Sequence, residues 1–119
     1  EKGFGLVVLV AIPPFPYTER AQKNILYGSN IYMTDFKEED WKHIHFEEVA
    51  LKKGSQFYIS DTRGYIVYAT SIAKTIKEAQ KKVYELIDKI YIPKMFYRND
   101  IGNSFLKKNQ ALLKKWGYL

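Results

Sequence analysis

The feature that most constrains the fold is a succession of strand, polar turn, helix and extended segment between Gly64 and Gly102. Tyr65, Val67 and Ala69 alternate with Ile66, Tyr68 and Thr70. Both sets are largely apolar, which predicts a strand covered on both faces. Thr75-Ile76-Lys77-Glu78 then forms a capping box. The threonine hydroxyl accepts from the amide three residues on, and Glu78 reaches back to the free amide of Thr75. Such a cap is worth about 1 kcal/mol. Behind it, Ile76, Ala79, Val83, Leu86, Ile87 and Ile90 recur at steps of three and four, while lysines and acids lie off that stripe. Pro93 is expected to end the helix, because the residue before a proline avoids helical angles. The pattern is that of a helix packed on a sheet.

The segment after Pro93 is different in kind. Packing accounts for Met95, Phe96 and Ile101. It does not account for Arg98 and Asp100, two apart in an apolar frame just before Gly102. In an extended chain such residues share a face. The pair has three readings: a surface ion pair of little worth, a fork for a phosphate or an amine, or an anchor for a neighbouring domain.

Upstream, Phe4 to Ile12 is the most hydrophobic run, and its length and β-branched content favour a central strand. Pro13, Pro14 and Pro16 end it and imply a stiff, extended path. Thr18 to Gln22 is suited to a short helix, Gly28-Ser29-Asn30 to a turn, and Ile31-Tyr32-Met33 to a short strand. Phe36 to Trp41 reads as an acidic loop whose three adjacent acids are solvated. Lys42 to Phe46 alternates like a strand, with His43 and His45 on one face. No third ligand at motif spacing accompanies them, so metal binding is not expected. Glu47 to Leu51 and Gln56 to Ser60 make a hairpin around Lys52 to Ser55, and with the Tyr65 strand they read as an antiparallel meander. After Gly102, Ser104 is placed to cap a last helix, with Phe105, Leu106, Leu112, Leu113 and Trp116 on one stripe and four lysines around it. Gly117 is its stop. The class is therefore α+β: an antiparallel meander packed against one long amphipathic helix, with a second, C-terminal helix.

A chain of 119 residues at 46% hydrophobic content makes one domain with a real core. With no cysteine, disulfides and thiol catalysis are excluded, and a reducing cytosol fits. No apolar run reaches membrane-spanning length. The net charge of +6 favours anionic partners in general, solubility being the first explanation. A nucleic-acid interface would cluster its basic residues, and here they are spread and mixed with acids. There is no Gly-rich phosphate loop, no nucleophile with a placed base, and no carboxylate cluster for two magnesium ions. The chain lacks an initiator methionine and opens almost directly on a strand, which reads as a piece of something longer or a mature fragment.

The strand, the Thr-x-x-Glu-Ala helix and the string Met95-Phe96-Tyr97-Arg98-Asn99-Asp100-Ile101-Gly102 resemble the C-terminal domain of phosphoribosylamine–glycine ligase, or glycinamide ribonucleotide synthetase, of the ATP-grasp superfamily. The match covers Gly64 to Gly102, about a third of the chain, more weakly preceded. The resemblance implies a cytoplasmic enzyme of purine biosynthesis that joins glycine to phosphoribosylamine with ATP, through a glycyl phosphate. It implies that ATP and Mg2+ are held by an upstream ATP-grasp portion of the same chain, that this domain closes part of the small-molecule substrate cleft, and that the fragment alone is inactive. Tyr97, Arg98, Asp100 and Gly102 are then substrate-binding or interdomain residues, with Tyr97 and Gly102 setting shape. No catalytic residue, metal ligand, membrane or nucleic-acid contact is assigned here. Two departures stand out. The family's His-Ala-Gly-Thr string is replaced near Phe46-Glu47-Glu48-Val49, and its Gly-Tyr-Pro turn by Pro13-Pro14-Phe15-Pro16-Tyr17. They leave open an ATP-grasp relative with another amine substrate, or a basic binding module without enzymatic context.

Overall fold

The computed structural model describes residues 3–16 and 26–119. The short helix expected at Thr18 to Gln22 lies outside the described residues. Strand β1 (Phe4–Ala11) forms from the apolar run and is central, between β6 (Tyr65–Ala73) and β8 (Phe96–Tyr97). It pairs antiparallel with β6 from Phe4↔Ala73 to Ala11↔Tyr65, with a bulge between Val10 and Ala11. On its other edge, β8 pairs only at Val10 and Ala11. Strand β3 (Ile44–Phe46) completes the four-stranded sheet beside β6.

Helix α1 (Ile76–Ile87) forms where its stripe and cap require, with Thr75 Oγ1 accepting from Glu78 N–H at 3.2 Å and Glu78 Oε2 from Thr75 N–H at 3.3 Å. Its Ile76, Ala79, Val83, Leu86 and Ile87 are buried against Leu6, Val8 and Val10 of β1 and Val67 and Ala69 of β6. Ser71 Oγ donates to Ala79 O at 2.7 Å, where two small side chains let sheet and helix approach. The opposite face is only partly covered: Ile66 is fully buried there, while Val7 projects 56% exposed. The two-faced cover expected for the β6 strand is complete at Ile66 and partial at Tyr68, Thr70 and Ile72.

The other elements refine the sequence reading. The hairpin of β4 (Val49–Lys52) and β5 (Gln56–Ile59) is a two-stranded ladder of its own, outside the main sheet. A second ladder joins β2 (Tyr32–Met33) to β7 (Ile90–Tyr91). That pairing corrects the helix end: α1 stops at Ile87, Asp88 is its C-cap, and Ile90 is buried in β7, well before Pro93. The prolines after β1 make a turn, not an extended path: Phe15 N–H donates to Ile12 O at 3.1 Å, and the Pro13–Pro14 and Phe15–Pro16 bonds are cis. The acidic loop is a 3-10 turn, Glu38–His43, so His43 ends a helix and the strand begins at Ile44. The last helix, α2 (Gln110–Lys115), continues a π-helical turn at Phe105–Asn109. Ser104 is itself helical, at φ −62°, and makes no side-chain cap, so the expected N-cap is not there. Gly117 does stop the helix at φ +79°. Among the described residues no helix is long and apolar enough to cross a membrane.

Candidate functional site

The loop after β8 is tied down by one side of α1. Gln80 and Tyr84 stand four apart, so one turn of helix brings them to the same side. Tyr84 Oη donates to Arg98 O at 2.8 Å and accepts from Ile101 N–H at 3.2 Å. Gln80 Nε2 donates to Ile101 O at 2.6 Å and to Asn103 Oδ1 at 2.9 Å. The loop is thereby fixed at both ends. Burial pushes the Tyr84 phenol above its ordinary range. Gly102 closes the loop at φ +92°, and a Cβ there would meet Gln80 Nε2 at 3.0 Å and Ile76 Cγ2 at 3.1 Å. Both the backbone angle and the close approach to α1 need glycine. Tyr97 is half-buried, its ring 6.1 Å from that of Tyr84.

This anchoring leaves Arg98 and Asp100 on the rim, 75% and 48% exposed. They do face the same way: Arg98 Nε donates to Asp100 Oδ1 at 2.9 Å and Nη2 to Oδ2 at 2.8 Å. The two hydrogen bonds hold the Asp100 carboxyl below its ordinary range. They use two of the five guanidinium N–H groups, and three remain for another acceptor. Beside the pair runs an apolar groove of about 390 Å³, lined chiefly by Val7, Leu9, Phe15, Tyr68 and Phe96. Phe15 reaches it through the proline turn, its ring 4.7 Å from Tyr65 and 6.2 Å from Phe96.

A second cavity, about 740 Å³, lies between α1, β6 and the 3-10 turn. Its charges are largely spent on one another: Lys42 pairs with Glu39 and Lys89 with Asp40, each at 2.7 Å, and Lys82 donates to Ile72 O at 3.2 Å. The Lys37 N–H and then Lys89 hold the Asp40 carboxyl low. Thr70 Oγ1 lies 3.5 Å from His43 Nδ1 and 3.4 Å from His45 Nε2, so the two imidazoles do share a side. Among the described residues no group of three His, Cys, Asp or Glu side chains is arranged to hold a metal ion. Magnesium asks for several oxygen ligands. Asp40, Glu48 and Asp100 are each already bonded to a lysine, a backbone amide or an arginine.

Phe46 to Val49, where the resemblance led us to expect a His-Ala-Gly-Thr string, pack within the domain. Phe46 packs on Phe57, with ring centroids 4.9 Å apart, and Val49 is half-buried in β4. Glu48 is buried, and its Oε2 accepts from Gly64 N–H at 2.8 Å. Burial raises its carboxyl above the ordinary value of 4.5, against the lowering effect of that amide. Glu48, Gln80, Tyr84 and Phe15 carry roles that the sequence reading did not assign. The i, i+4 spacing of Gln80 and Tyr84 beside the apolar stripe was the signal available for two of them.

Fold and loop together define an α+β domain that presents a guanidinium–carboxylate fork beside an apolar groove. Residues 6–104 match the family model described as phosphoribosylglycinamide synthetase, C domain, and the chain belongs to that family. It is similar to the phosphoribosylamine–glycine ligase of Vibrio cholerae, 40% identical over 48 residues, which are 40% of this chain and 11% of that protein. It is also similar to the crystal structure of phosphoribosylamine–glycine ligase from Thermotoga maritima. That likeness has a TM-score of 0.62 and 25% identity, and covers 83% of this chain and 22% of the other. The chain thus spans a small part of the length of these relatives.

Proposed function

We propose that this chain is the C-terminal domain of a cytoplasmic ATP-dependent ligase that joins glycine to phosphoribosylamine in purine biosynthesis. It closes part of the substrate cleft, while an upstream ATP-grasp portion of the same protein holds ATP and Mg2+. The observation that carries this reading is the family match over residues 6–104, which includes the loop from Phe96 to Gly102. In it, Tyr97 and Gly102 shape the loop, and Arg98 and Asp100 act at the cleft or at the contact with the upstream portion.

The test is Arg98→Ala in the full-length protein. A hydrogen bond to a charged group contributes about 1.5–3 kcal/mol, so kcat/KM is expected to fall about tenfold to a hundredfold. The pair is exposed in the 119-residue chain, so that chain's melting temperature is expected to move by less than about 3 °C. Equal losses in both would make Arg98 structural. A second reading is favoured by Phe46 to Val49, a buried carboxylate and an aromatic where the resemblance leads one to expect the family's string. In it the parent is an ATP-grasp relative that accepts another amine. Comparing glycine with other small amines as substrates of the full-length enzyme separates the two.

A further inference from the structure

The groove beside Arg98 follows an edge that the fold leaves open. Strand β1 has eight residues, and β8 pairs with its outer edge only at Val10 and Ala11. Among the described residues, nothing pairs with that edge from Phe4 to Leu9. Exposed edges are ordinarily protected by lysine, proline or a covering element. Here Gly5, Val7 and Leu9 stand on the uncovered face. Val7 is 56% exposed and Phe96 43%, and with Leu9, Phe15 and Tyr68 they line the apolar groove. The run from Phe4 to Ile12 is apolar on both faces, and α1 takes only one of them.

Building on the ligase reading, we infer that this groove and open edge are the seat of the upstream ATP-grasp portion, and that the Arg98–Asp100 fork is the polar rim of that domain contact. Arg98 is then a positioning residue and not a substrate ligand. An apolar centre with a polar rim is the usual anatomy of a protein contact. The groove fits apolar side chains of the partner, and the three remaining N–H groups of Arg98 fit a carboxylate or carbonyl oxygen beside them. The occupant is argued from two facts. The Thermotoga relative is matched over only 22% of its chain, so most of such a ligase lies outside this domain. The groove is also continuous with the Phe96 to Gly102 loop that the ligase reading sets at the cleft or the domain contact.

Val7→Lys tests this. Its side chain is exposed in the domain, so the melting temperature of the 119-residue chain is expected to stay within about 2 °C of the parent chain. In the full-length gene product the same change would bury an unpaired ammonium in an apolar contact. There the melting temperature is expected to fall by about 4 °C or more, and ligase turnover at least tenfold. An unchanged full-length melting temperature overturns the inference. So does a 119-residue chain that sediments as a dimer and is split by Val7→Lys, because the occupant is then a second copy. A full-length protein with no ligase activity, yet destabilised by Val7→Lys, overturns the ligase reading and keeps the docking surface.

Discussion

A buried carboxylate is costly unless its oxygens are bonded, and Glu48 bears that cost to hold the turn at Gly64. Its Oε2 accepts from the Gly64 amide, and Gly64 itself sits at φ +92°, where a Cβ would collide with Ile12 O. The carboxylate and the glycine together join the β5–β6 turn to the end of β1. Because burial raises the folded-state pKa above the unfolded value, the folded state binds the proton more tightly. The stability contribution is then fullest below about pH 4.5 and falls as pH rises through the raised pKa. Glu48→Gln keeps an oxygen to accept from Gly64 and removes the buried charge. Measured by chemical denaturation from pH 4 to pH 7, the variant is expected to gain on the parent as pH rises. Parallel stability curves would show that Glu48 carries no such linkage. Glu48→Ala, which leaves the amide unbonded, is expected to cost about 1–3 kcal/mol throughout.

Helix α1 is at once the packing element of the core and the clamp of the candidate loop. Its apolar stripe faces the sheet, and Gln80 and Tyr84, one turn apart, hold the Arg98 to Asn103 backbone. Tyr84→Phe keeps the ring contact with Tyr97 and removes the hydroxyl that both Arg98 O and Ile101 N–H use. The global cost is expected to be about 0.5–1.5 kcal/mol. The local sign is clearer: by hydrogen exchange the Ile101 amide is expected to open about tenfold faster, with the Val83 amide in mid-helix altered only by the global change. Equal protection at Ile101 in both proteins would remove the clamp. This helix was the most legible part of the chain, because a capping box and a 3.6-residue stripe are local signals. Its end was not, since the pairing of Ile90 and Tyr91 with β2 is a non-local contact that stops the helix before Pro93. For the same reason the alternation of His43 with His45 started the strand at Lys42, whereas the 3-10 turn, in which Asp40 is bonded to Lys37 N–H and Lys89, runs through His43 before β3 begins at Ile44. The Arg98–Asp100 pair was legible from spacing alone, whereas its anchors on α1 needed the fold.

At the scale of the molecule, one sheet face is spent on α1 and the other is open around Val7, with the only bidentate guanidinium–carboxylate fork among the described residues at its rim. A nucleotide-hydrolysing site needs a phosphate cradle and oxygen ligands for a metal. The glycines of this sequence are scattered, and three of its carboxylates, Asp40, Glu48 and Asp100, are bonded within the domain. If the upstream ATP-grasp portion supplies those parts, then the 119-residue chain by itself is expected to hydrolyse no ATP above background with Mg2+ present, measured as phosphate released over hours at micromolar protein. Robust hydrolysis that survives further purification would mean that the chain carries a nucleotide site of its own and would remove the division of labour proposed above. If hydrolysis is absent, the decisive comparison is with the full-length protein, where ATP turnover should require both glycine and phosphoribosylamine. On the inference drawn above, Arg98→Ala and Val7→Lys should lower it together in that protein, as changes at one contact between the domain and the upstream portion.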